Sequence, residues 1–303
     1  MRILRFNTKS EEEIWVAIGG FDGLHIAHKR LIERVRSFGK RSGIVSFIPY
    51  PLVFFHPSFN FLLTDYEEKV ELLSKSNIDE VFFLSFRDIK DMDPATFLSY
   101  LKSNIQGLKG LVVGKNFRFG NAQKGDTYTL KEICKENNID VVVEEAVVFE
   151  GHTVSSTLIR ELLLLGRVEK ANQLLGRYYK LKGRKVKGHG FGSKLIFPTI
   201  NVVSLSCAKL IPHDGVYAVW VKDEKGNISR AVMNIGVCPT FKNKSFSMEV
   251  YLLDKFSPVA RIFDIFFVSL IRFEKRFETP QSLKAQIEQD IKKAEAILEK
   301  STF

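Results

Sequence analysis

The chain has 303 residues, 45% of them hydrophobic and 26% charged, with a formal net charge of +10. That length suits one large domain or two of ordinary size, and that balance belongs to a soluble globular protein with its own core, which excludes a disordered chain, a collagen-like repeat and a disulfide scaffold. The excess positive charge points to an anionic partner: nucleic acid, a membrane surface or a phosphorylated small molecule. Phenylalanine is abundant, 26 residues against 2 tryptophans, as a packed core or a surface for flat aromatic ligands would require.

The first half alternates two periods. Apolar runs at 15–18, 44–47, 81–84, 111–113 and 141–143 read as buried parallel strands, with helical patterns near 31–38, 67–74, 95–101 and 130–136 between them. Strand–helix alternation predicts an open α/β sheet whose ligands sit beyond the carboxyl ends of its strands. Two more helices, about 156–165 and 168–174, close this half. From Tyr178 onward strands follow one another with only short turn signals, at 178–186, 199–203, 216–221, 231–235, 248–252 and 262–270. That spacing predicts an antiparallel barrel or sandwich. In a last helix, Thr279 can cap, Pro280 suits the first position, and Leu283, Ile287, Ile291 and Ala294 form one apolar stripe. Two domains, 1–176 and 177–303, are expected to meet near Gly176 and Arg177.

Cys134, Cys207 and Cys238 are an odd, widely spaced set with no CxxC. They indicate neither zinc nor a redox pair and read as reduced thiols. The N-terminus has no uninterrupted apolar segment, and the most apolar stretch, 262–271, is about half a membrane span. A cytoplasmic protein with no membrane partner is the expectation.

The run at 15–18 leads directly into Gly19-Gly20-Phe21-Asp22-Gly23-Leu24-His25-Ile26-Ala27-His28 and then a helix. Glycines after a first strand let backbone N–H groups approach a phosphate, and the helix N-terminus adds a favourable partial charge. Two histidines three apart lie on neighbouring positions of the first turn, so both imidazoles can face one anion. Nucleotidyl transfer needs such positioned donors; a tight turn with two exposed histidines is the plain alternative. Further on, Ser155, Ser156 and Thr157 place three hydroxyls at a helix start, with Arg160 one turn in. Together they suit a polyphosphate, though an N-cap run explains the hydroxyls equally well.

In the second half, Gly188-His189-Gly190-Phe191-Gly192-Ser193-Lys194 forms a glycine-rich loop, followed by Phe197-Pro198-Thr199-Ile200-Asn201. The loop fits a phosphate cradle or a hairpin turn. Thr199 and Asn201, two apart on a strand, point to one face and offer oxygen ligands of the kind Mg²⁺ takes. An ordinary strand with polar positions fits as well.

GGFDGLHIAH, VVGKNFRFG (112–120), SSTLIR (155–160), GRVEKANQLLGRYY (166–179), FPTIN (197–201), PHDGVY (212–217), NIGVCPTF (234–241) and MEVY (248–251) together resemble the bacterial bifunctional riboflavin kinase/FAD synthetase family, in order over nearly the whole chain. The resemblance implies a Rossmann-like nucleotidyltransferase domain with a parallel sheet, then an antiparallel β-barrel riboflavin kinase domain and a C-terminal helix. It implies phosphorylation of riboflavin to FMN by ATP, then adenylylation of FMN to FAD with release of pyrophosphate. His25 and His28 fall on the family's HxGH motif and would stabilise charge on the α-phosphate and leaving pyrophosphate. Gly19, Phe21, Asp22, Ser155, Ser156, Thr157 and Arg160 would bind ATP in the first domain, and Gly188, Gly192 and Lys194 in the second. Asn116, Phe117 and Arg118 occupy the family's flavin-side loop. Thr199 and Asn201, in the PTxN signature, would bind the Mg²⁺ of ATP, and Glu249 would be general base on the ribityl 5′-hydroxyl.

Ala27 replaces the family's usual Gly between the histidines, and Asn116 stands where Asp is more common. The second half departs more: arginines are expected near Phe191 and Ser193 and Gly at Ile196, and Ser257-Pro258-Val259-Ala260-Arg261 replaces an acidic-aromatic stretch. The rival readings are an FAD synthetase whose second domain only binds flavin, a cytidylyltransferase, and a basic nucleic-acid-binding protein. The last draws on Arg177, Lys180, Lys182, Arg184, Lys185 and Lys187, where Leu181 and Val186 instead suggest an ordinary strand with one solvated face. The expected partners are therefore small molecules, with no nucleic acid and no obligate protein partner.

Overall fold

The computed structural model describes residues 2–4, 12–187, 198–237, 246–254 and 260–303. The chain divides into two compact units, Met1–Ser156 and Thr157–Phe303.

The first unit is built on six parallel strands: β1 (Arg2–Leu4), β2 (Ile14–Ile18), β3 (Arg41–Ile48), β4 (Glu80–Ser85), β5 (Leu108–Gly114) and β6 (Asp140–Glu144). Their order across the sheet is β1-β4-β3-β2-β5-β6. Between them run α1 (Ile26–Ser37), α2 (Pro51–Phe55), α3 (Tyr66–Ser74), α4 (Phe86–Ile89), α5 (Pro94–Asn104) and α6 (Thr127–Glu136), and a short hairpin, β7 (Val148–Phe149) and β8 (His152–Thr153), follows. Successive strand residues point to opposite faces, and both faces are apolar. Ile14, Val16 and Ile18 pack with Phe97, Leu98 and Leu130, while Trp15 and Ala17 pack with Leu31, Ile32 and Leu73. The chain moves from β2 outward through β3 and β4, then crosses back to β5 beside β2. The crevice beyond the carboxyl ends of β2 and β5 is thus the point where winding reverses, where open α/β sheets hold ligands.

In the second unit, α7 (Ser156–Leu164) and α8 (Val168–Leu175) precede a barrel of β9 (Tyr179–Val186), β10 (Ile200–Ser204), β11 (Gly215–Asp223), β12 (Ile228–Val237), β13 (Phe246–Leu252) and β14 (Ile262–Phe273). Hydrogen bonding closes it in the order β10-β13-β12-β11-β14-β9, with β9 paired back to β10. Tyr179, Leu181, Tyr217, Met233, Val250 and Phe267 fill the buried face. On α9 (Pro280–Glu299), Thr279 caps as expected, in a reciprocal pair with Ser282. Its stripe also includes a buried Asp290, tolerated because Arg272 Nε lies 2.8 Å from its Oδ2.

The two expected sheet types are therefore both present. Helices α7 and α8 belong to the second compact unit. Polar anchors account for the placement: Asn172 of α8 donates to Phe267 O (2.8 Å) and accepts from Tyr179 N (2.7 Å), and His213 N donates to Leu163 O (3.0 Å).

Candidate active sites

β2 ends in a turn that the main chain makes at some cost. Phe21 and Leu24 both adopt positive φ (47° and 40°), unusual for bulky residues, and Gly23 lies between them at 84°. Buried polar clamps hold this turn. The Asp22 carboxylate, 1% exposed, accepts from Leu63 N (3.0 Å), Thr64 N (3.0 Å) and Thr64 Oγ1 (3.1 Å), while Gly23 N donates to Thr64 Oγ1 (3.1 Å). The Lys69 ammonium donates to Gly20 O (2.7 Å), which Ser46 Oγ also approaches (3.3 Å). Burial pushes the Lys69 amine down to about 8, against the pull of the Asp22 charge. A side chain at Gly20 would meet the Tyr50 ring at 2.5 Å, so this close approach needs glycine.

The turn delivers the two histidines. His25 caps α1, its Nδ1 accepting from His28 N (3.4 Å). The two imidazoles stack with centroids 3.6 Å apart and planes 14° apart. Ala27 is the second residue of the helix and half-buried. Ser156 Oγ donates to Asp22 O (2.8 Å), tying the end of the first unit to the turn. Thr157 and Arg160 lie on the first two turns of α7. At the neighbouring strand end, beyond β5, Asn116 and Arg118 are exposed and Phe117 is half-buried. Phe117 stacks on Phe119 (5.5 Å, 11°), and Arg118 pairs with Asp126 at 3.6 Å.

Gly19 stays half-buried at the strand end, its N–H donating to Val45 O (3.1 Å). Phe21 is fully buried and Asp22 is committed to the clamp. Both therefore shape the turn from inside. Sequence reasoning passed over Thr64, Lys69 and Tyr50. The only signal for Lys69 is a charge one residue after Glu68 on a helix, indistinguishable in sequence from a solvated one.

In the second unit the strand register assembles a polar row. Asn201 on β10 stands opposite Glu249 on β13, which stands opposite Asn234 on β12. Their neighbours Val202, Met248, Val250, Met233 and Ile235 are buried in the barrel, so period-two alternation puts all three polar residues on the outward face. Thr199, just before β10, donates through Oγ1 to Glu249 Oε2 (3.1 Å). Asn234 also donates to Glu274, just past β14; burial pushes the Glu274 carboxyl up, with Asp214 and Glu249 adding to the rise. A Cβ on Gly236 would strike the Glu274 carboxylate, so glycine leaves that carboxylate its place. Asn234 and Glu274 are additions to the sequence-derived site; nothing in one sequence reveals a cross-strand neighbour.

Gly188, Gly192 and Lys194 lie outside the described residues, as do Phe191, Ser193, Ile196, Ser257, Pro258 and Val259. Beside the described end of β9, Arg184, Lys185, Val186, Lys187 and Arg261 line a cleft of about 550 Å³. Along β9, Tyr179 and Leu181 are buried and Lys180 and Lys182 half-buried, the alternation of an ordinary strand. No cluster of three His, Cys, Asp or Glu side chains suited to a metal occurs among the described residues. The donors offered by Thr199, Asn201 and Glu249 are all oxygens, a set that fits a hard cation such as Mg²⁺ and not zinc.

A family profile for FAD synthetase matches residues 7–158, and one for riboflavin kinase matches 175–298. The bifunctional riboflavin kinase/FMN adenylyltransferase of Buchnera aphidicola subsp. Acyrthosiphon pisum is 31% identical over 91% of this chain and 90% of its own length. The protein of the same name from Escherichia coli K12 is 31% identical over 92% of this chain and 91% of its own. A crystal structure described as a macrolide-efflux protein from Streptococcus pneumoniae superposes with a TM-score of 0.85 at 25% identity, covering 97% of this chain and 98% of that one. No helix among the described residues is long and apolar enough to cross a membrane.

Proposed function

Because this chain belongs to the bifunctional riboflavin kinase/FAD synthetase family, we propose that each of its two activities is carried by its own set of residues. The chain phosphorylates riboflavin to FMN and adenylylates FMN to FAD. In the second reaction an FMN phosphate oxygen attacks the α-phosphorus of ATP, the new P–O bond forms, and the bond to pyrophosphate breaks. His25 and His28, stacked at the start of α1, donate to the α-phosphate and the departing pyrophosphate, with no covalent intermediate. The turn backbone, braced by Asp22 and Phe21, presents Gly19 and Gly20 close to phosphate. Ser155, Ser156, Thr157 and Arg160 offer hydroxyls, a helix N-terminus and a guanidinium to polyphosphate. Asn116, Phe117 and Arg118 meet the flavin, with the Phe117 ring edge left for the isoalloxazine.

In the first reaction Glu249 takes the proton of the ribityl 5′-hydroxyl as its oxygen attacks the γ-phosphorus and ADP leaves. Thr199 and Asn201 would hold Mg²⁺, which would neutralise charge on the phosphates. The hydrogen bond from Thr199 fixes the Glu249 carboxylate between that position and Asn234. Gly188, Gly192 and Lys194 complete the ATP site, and the basic cleft at the end of β9 draws in the anion. The chain works in the cytoplasm on small molecules, with its cysteines reduced.

The Asn201–Glu249–Asn234 row, with Thr199 bonded to its centre, carries the kinase reading. Purified protein with riboflavin, ATP and Mg²⁺ should yield both FMN and FAD on a chromatogram, and chelating the metal should stop both. If supplied FMN becomes FAD while riboflavin never becomes FMN, the catalytic reading of the barrel is wrong.

A further inference from the structure

Among the described residues, Lys69 is the one buried cation seen to hydrogen-bond the turn after β2. It sits on α3 at 6% exposure, and its ammonium reaches back to Gly20 O at 2.7 Å, above the Tyr50 ring at 5.6 Å. A lysine so buried gives up its water, and one carbonyl and one ring face replace only part of that hydration. A neutral donor would suffice merely to satisfy the carbonyl, and Ser46 Oγ already approaches it. The ammonium therefore adds something a hydroxyl does not: a positive charge, screened little by solvent, that offsets the buried Asp22 carboxylate under a turn that presents its backbone to anions. The strained φ of Phe21 lies directly beyond the gripped carbonyl, and His25 four residues later. A hold on Gly20 is thus a hold on where the imidazoles stand.

We propose that Lys69 is a positioning residue of the adenylyl-transfer site, fixing the Gly20 carbonyl and offsetting the buried Asp22 carboxylate, so that no uncompensated negative charge faces the ATP polyphosphate. This rests on reading the His25–His28 turn as that site. It acts through the turn and touches neither flavin nor the reacting atoms.

The test uses the full chain and steady-state FAD formation with ATP and FMN varied in turn. Lys69→Met should raise the KM for ATP roughly tenfold, the scale of one lost charge-assisted hydrogen bond, while the KM for FMN stays within twofold. FMN formation from riboflavin by the same preparation should also stay within twofold, which reports that the barrel is intact. Lys69→Gln keeps a donor without the charge and should keep kcat within twofold of wild type while leaving the KM for ATP raised. If Lys69→Met does not fold, Lys69→Gln is read by the same criterion. A KM for ATP within twofold of wild type overturns the proposal, and so does a lowered melting temperature with both KM values unchanged, which makes Lys69 a structural clamp only. His28→Ala separates the two levels: if it leaves FAD formation intact, the reading of the turn itself fails, whatever Lys69 does.

Discussion

The two candidate sites are made from different material. In the first, the candidate surface is main chain at the end of β2, bent through two positive-φ residues and held by charges buried behind it. In the second, it is a row of side chains on the outward face of neighbouring barrel strands, placed by register alone. A main-chain site needs bracing from within, so its sensitive residues extend into the interior and include groups that never meet a ligand. A strand-face site gets its rigidity from the closed ladder, and its sensitive residues stay at the surface.

Exchanging the damage between the sites should break this comparison most sharply. Glu249→Gln should lower FMN formation by roughly 10²–10⁴-fold and leave FAD formation from supplied FMN unaffected. His28→Ala should do the reverse, by roughly 10²–10³-fold. Both products, resolved by chromatography from each variant, give the answer; equal losses in both reactions would sink the separation of sites.

A smaller effect concerns the buried clamp. The folded-state pKa of Lys69 is lowered to about 8 from 10.5. Between those values the unfolded chain holds the proton that the folded chain has released, so this group makes stability rise with pH across that window. The rise amounts to about 3 kcal/mol at most. Chemical denaturation of wild type and Lys69→Met from pH 7.5 to 10.5 should show the gap moving in favour of wild type as pH rises.

The smallest effect lies at the barrel. Glu274 is raised by burial, so its contribution to stability is fully present below its unfolded value of 4.5 and is lost as pH rises through the folded value. Glu274→Gln should therefore compare best with wild type at neutral pH and less well in acid, as read by melting temperature. Its effect on FMN formation should be well below that of Glu249→Gln, because it reaches the Glu249 carboxylate through Asn234 and through charge alone, not as the proton acceptor.

The periods of the sequence made the architecture legible because strand and helix burial obey them: Trp15 and Ala17 against one layer, Ile14 and Val16 against the other. What escaped was short or non-local. β1 is three residues with an arginine at its start, and α2 and α4 span too few residues to show a helical stripe. The histidines, hydroxyls and PTxN residues were visible because their chemistry sits in consecutive residues. Asn234 and Glu274 join the site through pairing between strands far apart in sequence, and Lys69 through the folding of α3 onto the turn. No local pattern encodes either. Phe21 and Asp22 were recognisable as members of the motif, but their inward commitment was not.

The cap at the start of α1 has a consequence for proton placement. With Nδ1 of His25 accepting from the His28 amide, the neutral ring must carry its hydrogen on Nε2, a single tautomer chosen by the helix itself. A ring so held offers one fixed donor, its Nε2–H, to whatever oxygen faces it. The same hydrogen bond that starts the helix thus also decides which ring nitrogen is left to donate.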